Sequence, residues 1–167
     1  GQCFTSETLG GRSANRGQCA QSCRFSYDLV VDGEKKNLVD RTYLVSPKDL
    51  CGIAEVPELM QLGVKSFKVE GRLKTPEYVA QVAKSYRSII DRHTKSKSLS
   101  QEVFEIEKGK MAVEYSRGFF PGWLNGVNHQ QLVDGTYSSH RGLEIGQISE
   151  INKKSMSIQL KSENLNI

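Results

Sequence analysis

The sequence reads as an α/β fold, and three features carry that reading. Strand-like and helix-like segments alternate through the first hundred residues, which suits parallel strands joined by helices. Val79, Val82, Ala83, Tyr86, Ile89 and Ile90 recur at the spacing of one helix face. Beyond Leu143 the pattern turns to alternation around a polar turn, the mark of a hairpin.

Phe25 to Val31 alternates apolar and polar residues and predicts a strand. Asp32-Gly33 follows as a hairpin turn, with Lys35 to Asp40 as a return arm. Tyr43-Leu44-Val45 suits a short buried strand ended by Ser46-Pro47. Ser46 can cap a helix with Pro47 at its first position, carrying Leu50, Cys51, Ile53 and Ala54. A second short helix is expected from Val56-Pro57 to Gly63, then a strand over Val64 to Glu70 closed by Gly71. Thr75-Pro76-Glu77 opens the long helix, whose other face carries Gln81, Lys84, Arg87 and Asp91. After a polar linker from Thr94 to Ser100, Val103, Phe104, Met111 and Ala112 predict another helix ending near Tyr115. Residues 116 to 142 read as an irregular arm rich in Gly, Asn and aromatics. Ile145, Ile148, a turn at Asn152-Lys153-Lys154, then Met156, Ile158 and Leu160 form the hairpin.

Charge and hydropathy narrow the function classes. The 167 residues carry a net charge of +4, a mild basic bias compatible with RNA. No apolar run approaches the ~20 residues that cross a bilayer, and no signal peptide opens the sequence. No membrane contact and a cytoplasmic location are the expectations. His93, His129 and His140 share no metal-ligand spacing, and neither His-Glu-x-x-His nor Gly-x-Ser-x-Gly occurs. Trp123, beside Phe119, Phe120 and Pro121, reads as a packing anchor in preference to a base-stacking platform.

The stretch from Cys3 to Cys23 has almost no aliphatic side chains, so something other than a core must hold it. Cys19 and Cys23 are four apart and share a face if they lie on a helical turn. With Cys3 and Cys51 they form a set of thiolates that suits Zn²⁺ or an iron–sulfur cluster. Inert thiols and disulfides are the alternatives that spacing leaves open. Gly10-Gly11 and Gly17 permit close backbone approach, and Arg12, Arg16 and Arg24 around them suit phosphate or RNA. In an extended strand Lys68, Glu70 and Arg72 share one face. Such charges on a buried face pair with one another or bind an anion, and Arg72 has the planar fork of donors.

The same residues carry a resemblance. Gly1-Gln2-Cys3 and the run Gly10-Gly11-Arg12-Ser13-Ala14-Asn15-Arg16-Gly17-Gln18-Cys19-Ala20-Gln21-Ser22-Cys23-Arg24 resemble the signature of the peptidase U32 family, the collagenase-like proteases. Tyr43 to Cys51, Ser66 to Arg72, Arg117-Gly118-Phe119-Phe120-Pro121-Gly122-Trp123 and His140-Arg141-Gly142 continue it. The resemblance implies the last strands and helices of a (β/α)8 TIM-like barrel, then a helical arm and the start of a small β-rich domain. The divisions are 1–97, 98–142 and 143–167. It also implies an internal fragment lacking the N-terminal half of the barrel and inactive alone; with strand edges unpaired, such a piece is expected to be poorly soluble or dependent on a partner.

Similar members are associated with oxygen-independent hydroxylation of tRNA or rRNA bases, with prephenate as hydroxyl source and a [4Fe–4S] cluster. The larger rRNA-modifying members are the nearest in pattern. The resemblance assigns ligand positions to Cys3, Cys19 and Cys51, with a further cysteine expected upstream of Gly1 in a His-Gly-Ala-type segment; Cys23 is a spare or alternative ligand. In such a barrel functional residues follow strand C-termini. That puts Ser46, Lys48 and Asp49, with Arg12 and Arg16, at the substrate, and Lys68, Glu70 and Arg72 at the chemistry. A peptidase with a metal or thiol centre and a non-catalytic RNA-binding piece are the competing functions.

Overall fold

Helical segments with an apolar stripe and good caps are the most secure elements. The computed structural model describes residues 3–71, 73–96 and 98–161. The chain divides into two units: one comprises the chain up to Cys51 with Arg117–His140, the other Gly52–Ser116 with the chain from Arg141 onward.

The second unit holds the helical layer. Three helices, α2 (Val56–Gln61), α3 (Pro76–Lys95) and α4 (Gln101–Glu114), pack in sequence, α2 on α3 and α3 on α4. Thr75 caps α3: its hydroxyl accepts the Tyr78 N–H at 3.3 Å, with Pro76 at the first position. Glu77 in the first turn and Arg92 and Lys95 in the last complement the helix dipole. Val82, Ser85, Ile89 and His93 form the buried stripe, and Phe104, Glu107, Met111 and Ala112 answer it from α4. Burying each large apolar side chain contributes about 1.5–3 kcal/mol. These helices match the sequence expectation.

One charge is buried in that layer. Glu107, 3% exposed, accepts from Lys110 Nζ at 2.9 Å and Ser88 Oγ at 3.4 Å. Burial alone would favour its neutral form, but hydrogen bonds from Lys110, Ser85 and Ser88 and the Lys110 charge outweigh it. The carboxyl stays below its usual range.

The strands are fewer and shorter than the sequence suggests. The hairpin at Asp32-Gly33 forms only as β1 (Val30–Val31) and β2 (Glu34–Lys35), paired antiparallel. Tyr43–Val45 is a turn, and the helix expected after Ser46-Pro47 is replaced by β3 (Asp49–Leu50). There the backbone finds partners in a strand that the sequence reading places in an irregular arm. This is β4 (Phe119–Phe120), parallel to β3 with Asp49 opposite Phe119. Val64–Glu70 is not a strand, because no described strand lies alongside it to complete a ladder. The last hairpin forms as expected: β5 (Gly146–Ile151) pairs with β6 (Met156–Leu160), with a register shift between Ile148 and Glu150. The structure is therefore mixed α and β. Among the described residues its sheets have two strands each and none closes into a barrel.

Candidate functional site

The first unit is built from three pieces of chain tied mainly by polar contacts. A five-residue helix, α1 (Phe4–Thr8), opens the cysteine-rich loop. Its Ser6 side chain is fully buried, donating to the Arg12 carbonyl at 2.6 Å and accepting the Ala20 N–H at 2.8 Å. One hydroxyl thus closes the glycine-rich turn and fixes the approach to Cys19. At the loop's far end Arg24 Nη1 donates to Ser46 Oγ at 2.6 Å and to the Pro47 carbonyl at 2.7 Å. Tyr27 Oη donates to the Ser22 carbonyl at 2.8 Å and holds the turn that carries Cys23.

The middle piece, residues 43–51, is gripped from both sides by the arm. The Tyr43 N–H donates to Gly135 O at 2.9 Å, Pro47 bridges to Val133, and the Lys48 N–H donates to Leu132 O at 2.9 Å. Asp49 N–H donates to Gly118 O and Cys51 N–H to Phe120 O, both at 2.9 Å. The Asp49 carboxylate accepts the Arg117 backbone N–H at 2.8 Å and Nε at 2.9 Å, with Nη2 on the same oxygen as Nε.

These tethers decide what the predicted site residues can do. Ser46 and Asp49, read from sequence as substrate contacts, have side chains occupied by Arg24 and Arg117. Lys48 is half-buried, and its ammonium has no partner among the described residues. Arg12 and Arg16 are exposed on the glycine-rich turn. Lys68 and Glu70 belong to the second unit and are exposed, with Phe67 and Val69 half-buried between them. The alternation survives without a ladder, but the charged face is solvated and not buried. Arg72 lies outside the described residues. Gly71 beside it is tightly packed: a Cβ there would lie 2.6 Å from Val79 Cγ2. Lys74 then sits over the Tyr115 ring at 3.0 Å and 5.8 Å from that of Tyr78, a cation–π clasp on the same turn.

Among the described residues none of the four cysteines is in a disulfide. Cys3 and Cys19 are exposed, Cys23 is half-buried, and Cys51 is 5% exposed. Cys19 and Cys23 do not share a helical turn. Gln21, with φ 54°, prevents a continuous helix between them, and only Ser22–Arg24 is helical, as a 3-10 turn. Among the described residues no three His, Cys, Asp or Glu side chains are gathered to hold a metal ion. The donor chemistry suits a cluster, but the arrangement is not a preformed site.

Sequence reasoning missed Ser6 and Arg117. Arg117 stands within a quoted motif, which is a signal of sorts. Nothing in the sequence marks Ser6.

A groove beside β1–β2 is lined by Tyr27, Leu29, Lys35, Lys36, Arg41 and Thr42, among others. Lys35 and Lys36 there pair with Asp28 and Glu34.

The chain is similar to several curated proteins. It is 39% identical to an uncharacterised protease of Methanocaldococcus jannaschii, over 92% of this chain and 39% of that protein. It is 41% identical to the tRNA hydroxylation protein P1 of Bacillus subtilis, over 65% of this chain and 26% of that protein. It is 34% identical to a collagenase of Porphyromonas gingivalis, over 82% of this chain and 37% of that protein. The chain thus spans well under half the length of these relatives. No solved structure matches it. Residues 1–134 match Peptidase family U32, and the chain belongs to that family.

Proposed function

We propose that this U32-family chain serves in oxygen-independent hydroxylation of an RNA base in tRNA or rRNA, in the cytoplasm. The observation that carries the reading is a thiol donor set on a tethered loop, in a chain similar to a protein named for tRNA hydroxylation. The proposed ligands of a [4Fe–4S] cluster are Cys3, Cys19 and Cys51, with Cys23 as alternative. Such sites commonly form only as the metal binds, and in this reading the thiolates gather as the cluster is loaded. A bound cluster supplies one-electron transfer.

Converting C–H to C–OH is a two-electron oxidation, and prephenate is proposed both to supply the hydroxyl group and to take up the two electrons, exchanging its own C–OH bond for C–H. The chain's own residues bind and orient. Lys68, Glu70 and Arg72 form the proposed anion site for that dicarboxylate. Arg12, Arg16 and Lys48 meet RNA phosphates, and Ser46 and Asp49 shape the substrate mouth by holding Arg24 and Arg117. In this reading the strand–helix segments belong to a (β/α)8 barrel.

The second reading, a collagenase-like peptidase, draws on the protease and collagenase names of two relatives. A non-catalytic RNA-binding role is the third. Mass spectrometry of nucleosides from tRNA and rRNA, with and without the protein in the cell, tests the first. A nucleoside lacking one oxygen in the deleted strain, restored by complementation, supports it. Unchanged nucleosides oppose it.

A further inference from the structure

Trp123 is not buried as a packing anchor should be. It is 47% exposed, although two rings hold it edge-on: Phe120 at 5.4 Å and 78°, and His129 at 5.0 Å and 64°. Phe120 is itself buried, so it fixes the indole from below. Gly122 brings the loop onto β3: its φ is +71°, and a Cβ there would lie 2.9 Å from Leu50 Cδ1. Leu50, Leu124 and Val127 are also exposed. The result is an apolar patch around a clamped indole with an open face.

The charge around this patch selects its occupant. From Gly118 to Val133 the arm contains no acidic residue. Asp49, on the neighbouring strand, is neutralised by Arg117. Lys48 is pinned by its backbone to Leu132, three residues after His129, and its ammonium has no partner among the described residues. An anionic chain that also presents flat rings fits this combination better than an apolar protein face. Single-stranded nucleic acid has both properties.

We infer that the Trp123 face of the arm is a stacking platform for one unpaired nucleotide of RNA, with Lys48 meeting an adjacent phosphate. The inference deepens the RNA-hydroxylation reading and rests on it for the identity of the polymer. Trp123 is the sole tryptophan of the 167 residues, so its emission reports on this face alone.

The test uses the full chain, a labelled single-stranded oligoribonucleotide, and inorganic polyphosphate as a polyanion without bases. RNA should quench the Trp123 emission and polyphosphate should not. Trp123→Ala should weaken RNA binding by about 5- to 150-fold, the range of one base stack, with Trp123→Phe in between. Lys48→Gln should lower the salt slope by about one phosphate contact. Equal quenching by polyphosphate, no RNA binding, or RNA affinity indifferent to both Trp123 variants overturns the platform. Indifference would leave the patch to a protein partner. Where Trp123→Ala does not fold, the quenching comparison and Trp123→Phe decide alone. Trp123-dependent binding in a protein that forms no hydroxylated nucleoside sustains the platform and sinks hydroxylation. Hydroxylation at unchanged KM in Trp123→Ala does the reverse.

Discussion

Arg117 and Asp49, 68 positions apart in sequence, are joined by a forked contact in which one carboxylate takes a backbone N–H and a guanidinium together. Both side chains are only partly exposed, and the pair locks the arm beside β3. Asp49→Asn keeps the shape but turns one acceptor oxygen into an NH2 donor facing an N–H and leaves the remaining contact without the carboxylate charge. We expect it to lower stability by about 1–3 kcal/mol, the range for loosening a partly buried charge-assisted contact. Equilibrium urea unfolding checks this, and an unchanged midpoint would show that the arm is held otherwise.

Ser6 gives a sharper local test. Ser6→Ala leaves the Ala20 N–H without its acceptor and the Arg12 carbonyl without its donor. The expected outcome is faster amide exchange at Ala20 and earlier proteolysis within the glycine-rich turn. The helices α2–α4 should be unaffected. Global loss of protection would mean that Ser6 supports more than its own loop.

How much was legible beforehand follows from what each segment leans on. The long helix was readable because Thr75, Pro76 and the apolar stripe all lie within it. The short strands were not, because Asp49–Leu50 depends on Phe119–Phe120, far away in sequence, and nothing local announces the pairing. The reading of Ser46 as a helix cap was locally sound; tertiary partners overrode it, and Arg24 takes the hydroxyl instead. The cysteines were legible as a set, yet their spacing could not reveal that Gln21 adopts a left-handed conformation between Cys19 and Cys23. Exposure of Trp123 was equally invisible, since an aromatic cluster looks the same in sequence whether it faces inward or out.

Glu107 ties stability to pH. Its carboxyl is held below the usual range when folded, so its ionised form stabilises the α3–α4 packing above the unfolded-state value of about 4.3. That contribution is lost as pH falls through the depressed folded value. Thermal melts of the protein and of Glu107→Gln should differ most near neutrality and converge under acid conditions. A difference independent of pH would assign Glu107 a packing role only.

RNA hydroxylation, and not peptide cleavage, is the activity proposed for this family member. Its most direct measurement is an anaerobic assay of the purified full-length protein, with iron restored and prephenate supplied, offered RNA and a collagen peptide side by side. The expected result is an RNA nucleoside that gains one oxygen, lost in Cys51→Ser, and an intact peptide. Peptide cleavage that the same variant abolishes, with RNA unchanged, would contradict it.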